Sequence, residues 1–422
     1  MARLLRRVET LVPRRARDYG GKARSLAALA RAGFPVPSAF ALPASASEAF
    51  YEAVLPEEDR PSSLLRDTFV APERLEAIAE RVRNAPLPYE LREGLAEAFR
   101  RLREEGAASV AVRSSSTRED QEEASAAGLH ETVLDVRDEV ALEDAVRRCW
   151  ASTFAPRVLT YLREVGEGAD ADAAVGIVVQ AMVPAEVAGV LFTVNPLTGD
   201  AGEVVINASW GLGAPVVDGT VSPDTIRVDK ATAVPRERVI GEKEQRLVVA
   251  PSGGTELVPV PEELRSRLSL DGELLAALTR LALRVEEHFD GPRDVEWAIA
   301  EGRVLLLQAR PVTVAVQPGT RRWQKRRGDE VDRSRLVWSN VNVGEALPGV
   351  ATPLTWSILS GFSELGFRRA LGSLGCTVPR DAELVGSFRG RIYLNLSELL
   401  GLLSQVPGLR PKTLLALGGG GE

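Results

Sequence analysis

The 422-residue chain predicts an α+β fold assembled from antiparallel hairpins and amphipathic helices. Three observations carry that expectation. Residues 294–311, DVEWAIAEGRVLLLQARP, alternate apolar and polar side chains on both sides of a turn, as a β-hairpin does. Residues 18–40 and 264–288 show the Ala/Leu periodicity of helices. Apolar runs within 175–200 and 204–229, each interrupted by Pro or Gly, supply further strands.

The hairpin carries the chemistry, and its register decides whether its polar residues act together. A two-residue loop of Glu301 and Gly302 would set Glu296 against Leu307 and Gln308 against Val295, mixing polar and apolar on both faces. A three-residue loop through Arg303 is therefore expected; it sets Trp297 against Leu307, Ile299 against Leu305 and Glu296 against Gln308. One face then presents Asp294, Glu296, Gln308 and Arg310. A carboxylate beside an amide oxygen offers hard ligands to Mg²⁺ already carrying phosphate oxygens, and a guanidinium suits the phosphates. The same face serves equally well as a solvated sheet with an ordinary cross-strand Glu–Arg pair.

Taken in order, residues 18–40 (DYGGKARSLAALARAGFPVPSAF) place Lys22 near a helix N-terminus, where backbone N–H groups favour an anion. The P-loop pattern fails in spacing, and a solvated lysine after a glycine turn is the competing reading. Residues 45–106 read as helical scaffold. In residues 109–136, SVAVRSSSTREDQEEASAAGLHETVLDV, a short strand ends at Arg113, and a Ser/Ala/Gly stretch around Gly128 leads to a second strand from Thr132. Arg113 can fork onto phosphate, and the small residues admit backbone donors and a moving lid; a polar surface loop is the alternative. Gln180 interrupts an apolar strand and needs a partner, which a nucleotide edge or the backbone could supply. Gly211 and Gly213 mark a turn, residues 231–256 a charged connection, and residues 264–288 one helix.

Bulk properties exclude several classes. A net charge of -7 argues against nucleic acid as the main partner. Two cysteines, Cys149 and Cys376, lie far apart, which fits the cytoplasm and excludes a cysteine metal site. No apolar run is long enough to span a membrane. The two histidines, His130 and His288, limit imidazole chemistry, and His288 is expected to complement a helix dipole.

Five blocks in one order resemble the ATP-grasp domain of the pyruvate phosphate dikinase type, shared with phosphoenolpyruvate synthase and rifampin phosphotransferase. They are GGKARSLAALARAGFPVP, VAVRSSSTREDQEEASAAGLHETVLDV, VVQAMVPAEVAGVLFTVNPLTG, WGLGAPVVDGTVSPD and DVEWAIAEGRVLLLQARPVT. The resemblance implies two subdomains, 1–180 and 181–314, with the nucleotide cleft between them; the Gly, Pro and dense charge of 315–335 read as a linker. Residues 336–422 would begin an incomplete, mainly helical substrate-type domain, as in rifampin phosphotransferase-like proteins.

By motif position the resemblance implies that Lys22, Arg113, Gly128 and Thr132 meet the phosphates and lid, Gln180 the adenine, Glu296 and Gln308 Mg²⁺, and Arg310 phosphate. Lys22, Arg113 and Arg310 would be catalytic, and Asp294 also falls at a motif position. The implied activity is a phosphotransferase with paired acceptors: ATP is split to AMP and inorganic phosphate, and a phosphoryl group passes through a histidine to a small-molecule acceptor. Phosphoenolpyruvate synthase-type activity and a non-catalytic ATP-binding regulatory module are the alternatives. Two departures stand out. Ala214 replaces the acid of the usual GLGE block, and neither histidine lies in a carrier motif, so the phosphohistidine swivelling domain is expected to be missing or supplied in trans.

Overall fold

The computed structural model describes residues 4–12, 16–67, 69–117, 131–165, 174–196, 198–312 and shorter stretches between 338 and 403. The chain divides into two compact units, Met1–Thr320 and Arg321–Glu422. Gly128, His130 and the expected linker 315–335 lie outside the described residues.

In the first unit, β1 (Arg6–Arg7), β2 (Ala39–Leu42), β3 (Val110–Ser116), β4 (Thr132–Val136) and β5 (Val175–Ala181) form an antiparallel sheet in the order β1-β2-β5-β3-β4. Period 2 sorts its faces. Val110, Val112, Ile177 and Val179 point into a core built with the helices Pro72–Asn84, Tyr89–Glu104 and Glu139–Ala151. Ala111 and Arg113 point the other way, with Gln180 paired to Ala111 and Thr132 to Arg113. The strand runs on through Ser116 rather than ending at Arg113. Cys149 is fully buried in this core, and burial pushes its thiol up to about 12, so it stays protonated and inert at neutral pH.

After β5 the chain forms β6 (Val187–Phe192), β7 (Glu203–Trp210), β8 (Asp224–Asp229) and β9 (Pro235–Val239), then a separate hairpin of β10 (Gln245–Val249) and β11 (Thr255–Pro259), and finally β12 (Arg293–Ala300) and β13 (Arg303–Pro311). The order β13-β12-β6-β7-β8-β9 makes a second antiparallel sheet. The expected charged connection 231–256 thus contains strands; they are largely exposed and show no regular in–out alternation, so pairing with neighbouring strands defines them rather than burial.

The expected helix 264–288 is also divided, into Glu262–Arg265 and Gly272–Phe289. The longer piece buries Leu275, Leu278, Ala282 and Val285 along one stripe against Val295, Trp297 and Ile299 of the second sheet. Burial of each Val or Ile there contributes about 1.5–3 kcal/mol relative to exposure. Asp290 ends the helix in a left-handed conformation (φ 52°). His288 packs edge-on against Phe34 and Phe289 near that terminus.

The second sheet's far edge is held by Glu203, which accepts from Arg227 Nη2 (2.8 Å), Arg236 Nη1 (3.1 Å) and Asn195 Nδ2 (2.9 Å). Chiefly through Arg227, this network draws the Glu203 carboxyl from 4.5 to about 2 against the opposing effect of burial. A carboxyl depressed on folding contributes stability above its unfolded value, and that contribution disappears as pH falls through the folded one. Urea unfolding of Glu203→Gln is therefore expected to depend less on pH between 4.5 and 2 than that of wild type. Parallel pH profiles would refute the assignment.

The described part of the second unit holds a small antiparallel sheet, β14 (Trp338–Ser339), β15 (Val385–Phe388) and β16 (Arg391–Asn395), in the order β14-β16-β15. The helix Leu396–Leu403 follows, and Leu371, Cys376, Leu384 and Leu402 form a local core. Strands thus accompany the helices expected in this segment.

Candidate functional site

The β12–β13 hairpin places Glu296 opposite Gln308, as expected, but by a different route. The turn is the two residues Glu301 and Gly302, both at positive φ (51° and 69°), the mark of a type I′ turn. Pairing therefore starts with Ala300 against Arg303 and sets Trp297 against Leu306, not Leu307. A bulge between Glu296 and Trp297 then absorbs Leu307 and restores Glu296 to Gln308 and Asp294 to Arg310. Leu306 joins Trp297 in the core, while Leu307 turns to the other face with Ala298 and Ala188.

That other face opens on a cavity of about 310 Å³ between the two sheets. The first sheet contributes Ala111, Arg113, Thr132, Leu134 and Gln180, and the second Ala188, Gly189, Glu296, Ala298 and Leu307. Ala181, Met182, Val183 and Ala185, along the chain joining β5 to β6, line a further side.

Arg113 reaches across the cavity. Its Nη2 donates to Glu296 Oε2 (2.5 Å) and Gln308 Oε1 (3.1 Å), and its Nη1 to the Leu307 carbonyl (3.2 Å). One cationic nitrogen thus marks the point where the carboxylate and amide oxygens converge. Burial works to raise the Glu296 carboxyl, but Arg113, with Lys22 and Arg310 adding to it, outweighs burial and holds it below its ordinary value. Beside it, Arg310 Nε donates to Asp294 Oδ2 (2.7 Å), while Asp294 Oδ1 is buried without a hydrogen-bond partner among the described residues. Burial raises the Asp294 carboxyl, with Arg310 opposing.

The helix Gly20–Arg31 fixes Lys22 on the cavity wall. Gly20 has φ +83°, and a Cβ there would lie 2.1 Å from the Ser115 carbonyl oxygen, so only glycine lets the helix start against β3. Ala23 N donates to Ser115 Oγ (3.1 Å), while Ser25 Oγ donates to the Ala309 carbonyl and accepts from Ala309 N (3.0 Å). One helix is thereby tied to both sheets. On the first sheet, paired with Ala111, the Gln180 side chain is buried, and its Nε2 has no partner among the described residues. The reading of Gln180 as satisfied by the backbone loses its support there.

The remaining wall is Leu212, Gly213, Ala214, Val217 and Asp218. Leu212 N donates to the Leu247 carbonyl (2.9 Å) of β10. The turn of the β10–β11 hairpin is in turn held to β4 by Arg137 Nη2 donating to the Ala250 carbonyl (2.6 Å) and Gly254 N donating to Asp135 Oδ2 (2.8 Å). This hairpin thus backs the Leu212 side of the wall without lining the cavity itself.

The donor set fits a divalent cation that brings its own phosphate ligands. A carboxylate and an amide oxygen, both hard, converge on a position that attracts positive charge, and Mg²⁺ is commonly held by one or two carboxylates together with substrate phosphates.

Residues 17–330 match the family described as "Pyruvate phosphate dikinase, AMP/ATP-binding domain". The chain belongs to that family. It is 36% identical over 407 residues to the prodigiosin synthesizing transferase PigC of Serratia marcescens, covering 95% of this chain and 43% of that protein. It is 36% identical over 353 residues to a probable phosphoenolpyruvate synthase of Methanocaldococcus jannaschii, covering 82% of this chain and 29% of that one. A third relative, the uncharacterized phosphotransferase YvkC of Bacillus subtilis, is 34% identical over 375 residues, 89% of this chain and 42% of the relative. The chain spans less than half the length of these three relatives.

In this pyruvate phosphate dikinase-type domain, Lys22, Arg113, Thr132, Gln180 and Glu296 line one cavity, with Gln308 bonded to Arg113 and Arg310 to Asp294 at its edge. Gly128 is outside the described residues. Sequence reasoning missed Ala111 and Leu134, which period 2 from Arg113 and Thr132 would have found, and the segment 181–185. It also missed Leu212, Val217 and Asp218, which no local pattern announces. Among the described residues no helix is long and apolar enough to cross a membrane.

Proposed function

We propose that this chain is the Mg·ATP-binding part of a dikinase-type phosphotransferase. The observation that carries the proposal is Arg113 of one sheet bonded to both Glu296 and Gln308 of the other inside the cavity. Residues 1–180 and 181–314 are the two halves of the nucleotide cleft, 315–335 a linker, and 336–422 a substrate-domain-like segment. Gln180 and the 181–185 segment receive the adenine. Lys22, Arg113 and Arg310 receive the phosphates and neutralise charge that develops as a phosphoryl group leaves. Glu296 and Gln308 would hold Mg²⁺, which when bound supplies charge neutralisation between adjacent phosphates.

In the overall reaction ATP, an acceptor hydroxyl and water yield AMP, inorganic phosphate and the phosphorylated acceptor. A histidine on a swivelling domain, within the same polypeptide or in trans, carries the group. We place the protein in the cytoplasm; its cysteines are unpaired and buried, as a reducing compartment allows. The layout favours a rifampin phosphotransferase-like acceptor reaction, and the relatives named probable phosphoenolpyruvate synthase favour pyruvate as the second reading.

The protein is expected to form AMP from Mg·ATP only when a separately expressed histidine domain is added, with chromatographic AMP as the readout. Tight ATP binding with no AMP formation at any ratio of the two components would instead identify a non-catalytic ATP-binding module.

A further inference from the structure

The cavity holds a second carboxylate besides that of Glu296. Glu296 and Asp218 are the two carboxylates on its wall. Glu296 is surrounded by Arg113, Lys22 and Arg310, whereas no ion pair among the described residues engages Asp218. Asp218 caps the short helix Ala214–Val217, its N–H donating to the Ala214 carbonyl (3.0 Å). Both residues line the cavity one helical turn apart, so the Ala214 methyl leaves room beside the carboxylate. Oδ1 is fixed by Thr220 N (2.9 Å) and Thr220 Oγ1 (2.6 Å), which orients the group and leaves Oδ2 to accept from a ligand.

Each part of a nucleotide makes a different demand. Phosphates are repelled by an unpaired carboxylate and drawn to Lys22, Arg113 and Arg310. The base has the Gln180 Nε2, a donor without a partner among the described residues, and apolar walls in Leu134 and Leu307. What is left between base and phosphates is a vicinal diol, with two O–H donors and no charge, and a carboxylate is its best acceptor. We propose that Asp218 accepts the ribose hydroxyls of the bound nucleotide and makes the cleft selective for ribonucleotides. The inference rests on the nucleotide reading of the cleft.

Titration calorimetry of the full chain with Mg·ATP, Mg·2′,3′-dideoxy-ATP and Mg·ITP tests it. Wild type is expected to bind ATP about tenfold or more tighter than the dideoxy analogue, because a charge-assisted hydrogen bond is lost. Asp218→Asn keeps an oxygen for Thr220 and is expected to weaken ATP while leaving the dideoxy analogue nearly unchanged, bringing the two within about twofold. The ATP to ITP ratio stays as in wild type. If Asp218→Asn leaves the sugar preference intact, or shifts the ATP to ITP ratio instead, the assignment is overturned while the nucleotide reading stands. If wild type binds none of the three, both fall.

Discussion

Replacing Glu296 by alanine is expected to weaken Mg·ATP binding by about 10–100-fold, the loss typical when a metal site is impaired. The same substitution is expected to leave binding of metal-free ATP unchanged or tighter. The reason is the position of Arg113, whose Nη2 is shared by Glu296 Oε2 and Gln308 Oε1 across the cavity. In that arrangement the guanidinium sits where a cation belongs, and a ligand bringing both cation and phosphates would take over each partner: the oxygens for the metal, Arg113 for the phosphates. Removing the carboxylate deprives the metal of its anionic ligand and releases Arg113 to phosphate. Calorimetry with and without Mg²⁺ separates the two effects. Equal losses under both conditions would show that Glu296 acts through folding or through Arg113 alone, and no loss would remove it from the site.

A second large effect is expected at a buried pair that does not line the cavity. Lys243 and Asp224 form an ion pair with both side chains fully buried. Asp224 Oδ1 also accepts from Gly241 N (2.9 Å), and Oδ2 from Ser269 N (2.6 Å) and Ser269 Oγ (2.7 Å). Lys243 Nζ donates to the Gly241 carbonyl (2.9 Å) as well. One carboxylate thus joins β8, the 241–243 segment and the break between the helices Glu262–Arg265 and Gly272–Phe289. Lys243→Met would leave that carboxylate buried without its cation, and truncating one partner of a buried pair costs about 3–5 kcal/mol. Chemical denaturation measures it. The double variant Lys243→Met with Asp224→Asn is expected to recover part of the loss, because the unpaired charge is gone. A single variant within about 1 kcal/mol of wild type, below the usual range for such pairs, would mean that the pair stabilises through packing rather than charge.

How much of this was legible before the fold was known depends on how local each signal is. The β12–β13 hairpin, the helix carrying Lys22 and the strand carrying Arg113 rest on periodicities of 2 and 3.6, which a short window contains in full. The order of five such motifs also sufficed for the family. The β12–β13 register was inferred correctly at Glu296 and Gln308 for a wrong reason. Strict alternation from a two-residue turn puts Leu307 opposite Glu296, and only a bulge, whose place is set by packing on both sides of the sheet, reconciles that turn with the observed pairing. Strands β9 to β11 escape a local reading for another reason: each pairs with a neighbour in sequence, but they are largely exposed and bury no regular apolar face that a period of 2 could reveal.

By itself the sequence determined which residue types face a common wall, because side-chain direction in a strand or helix follows from backbone geometry over a few residues. Tertiary structure alone decided that Arg113 meets Glu296 and Gln308, that the Gln180 Nε2 finds no partner among the described residues, and that Asp218 stands in the same cavity. Those facts depend on how two sheets and a bridging helix approach one another, and that approach is set by the packing of whole cores, which no short run of residues encodes.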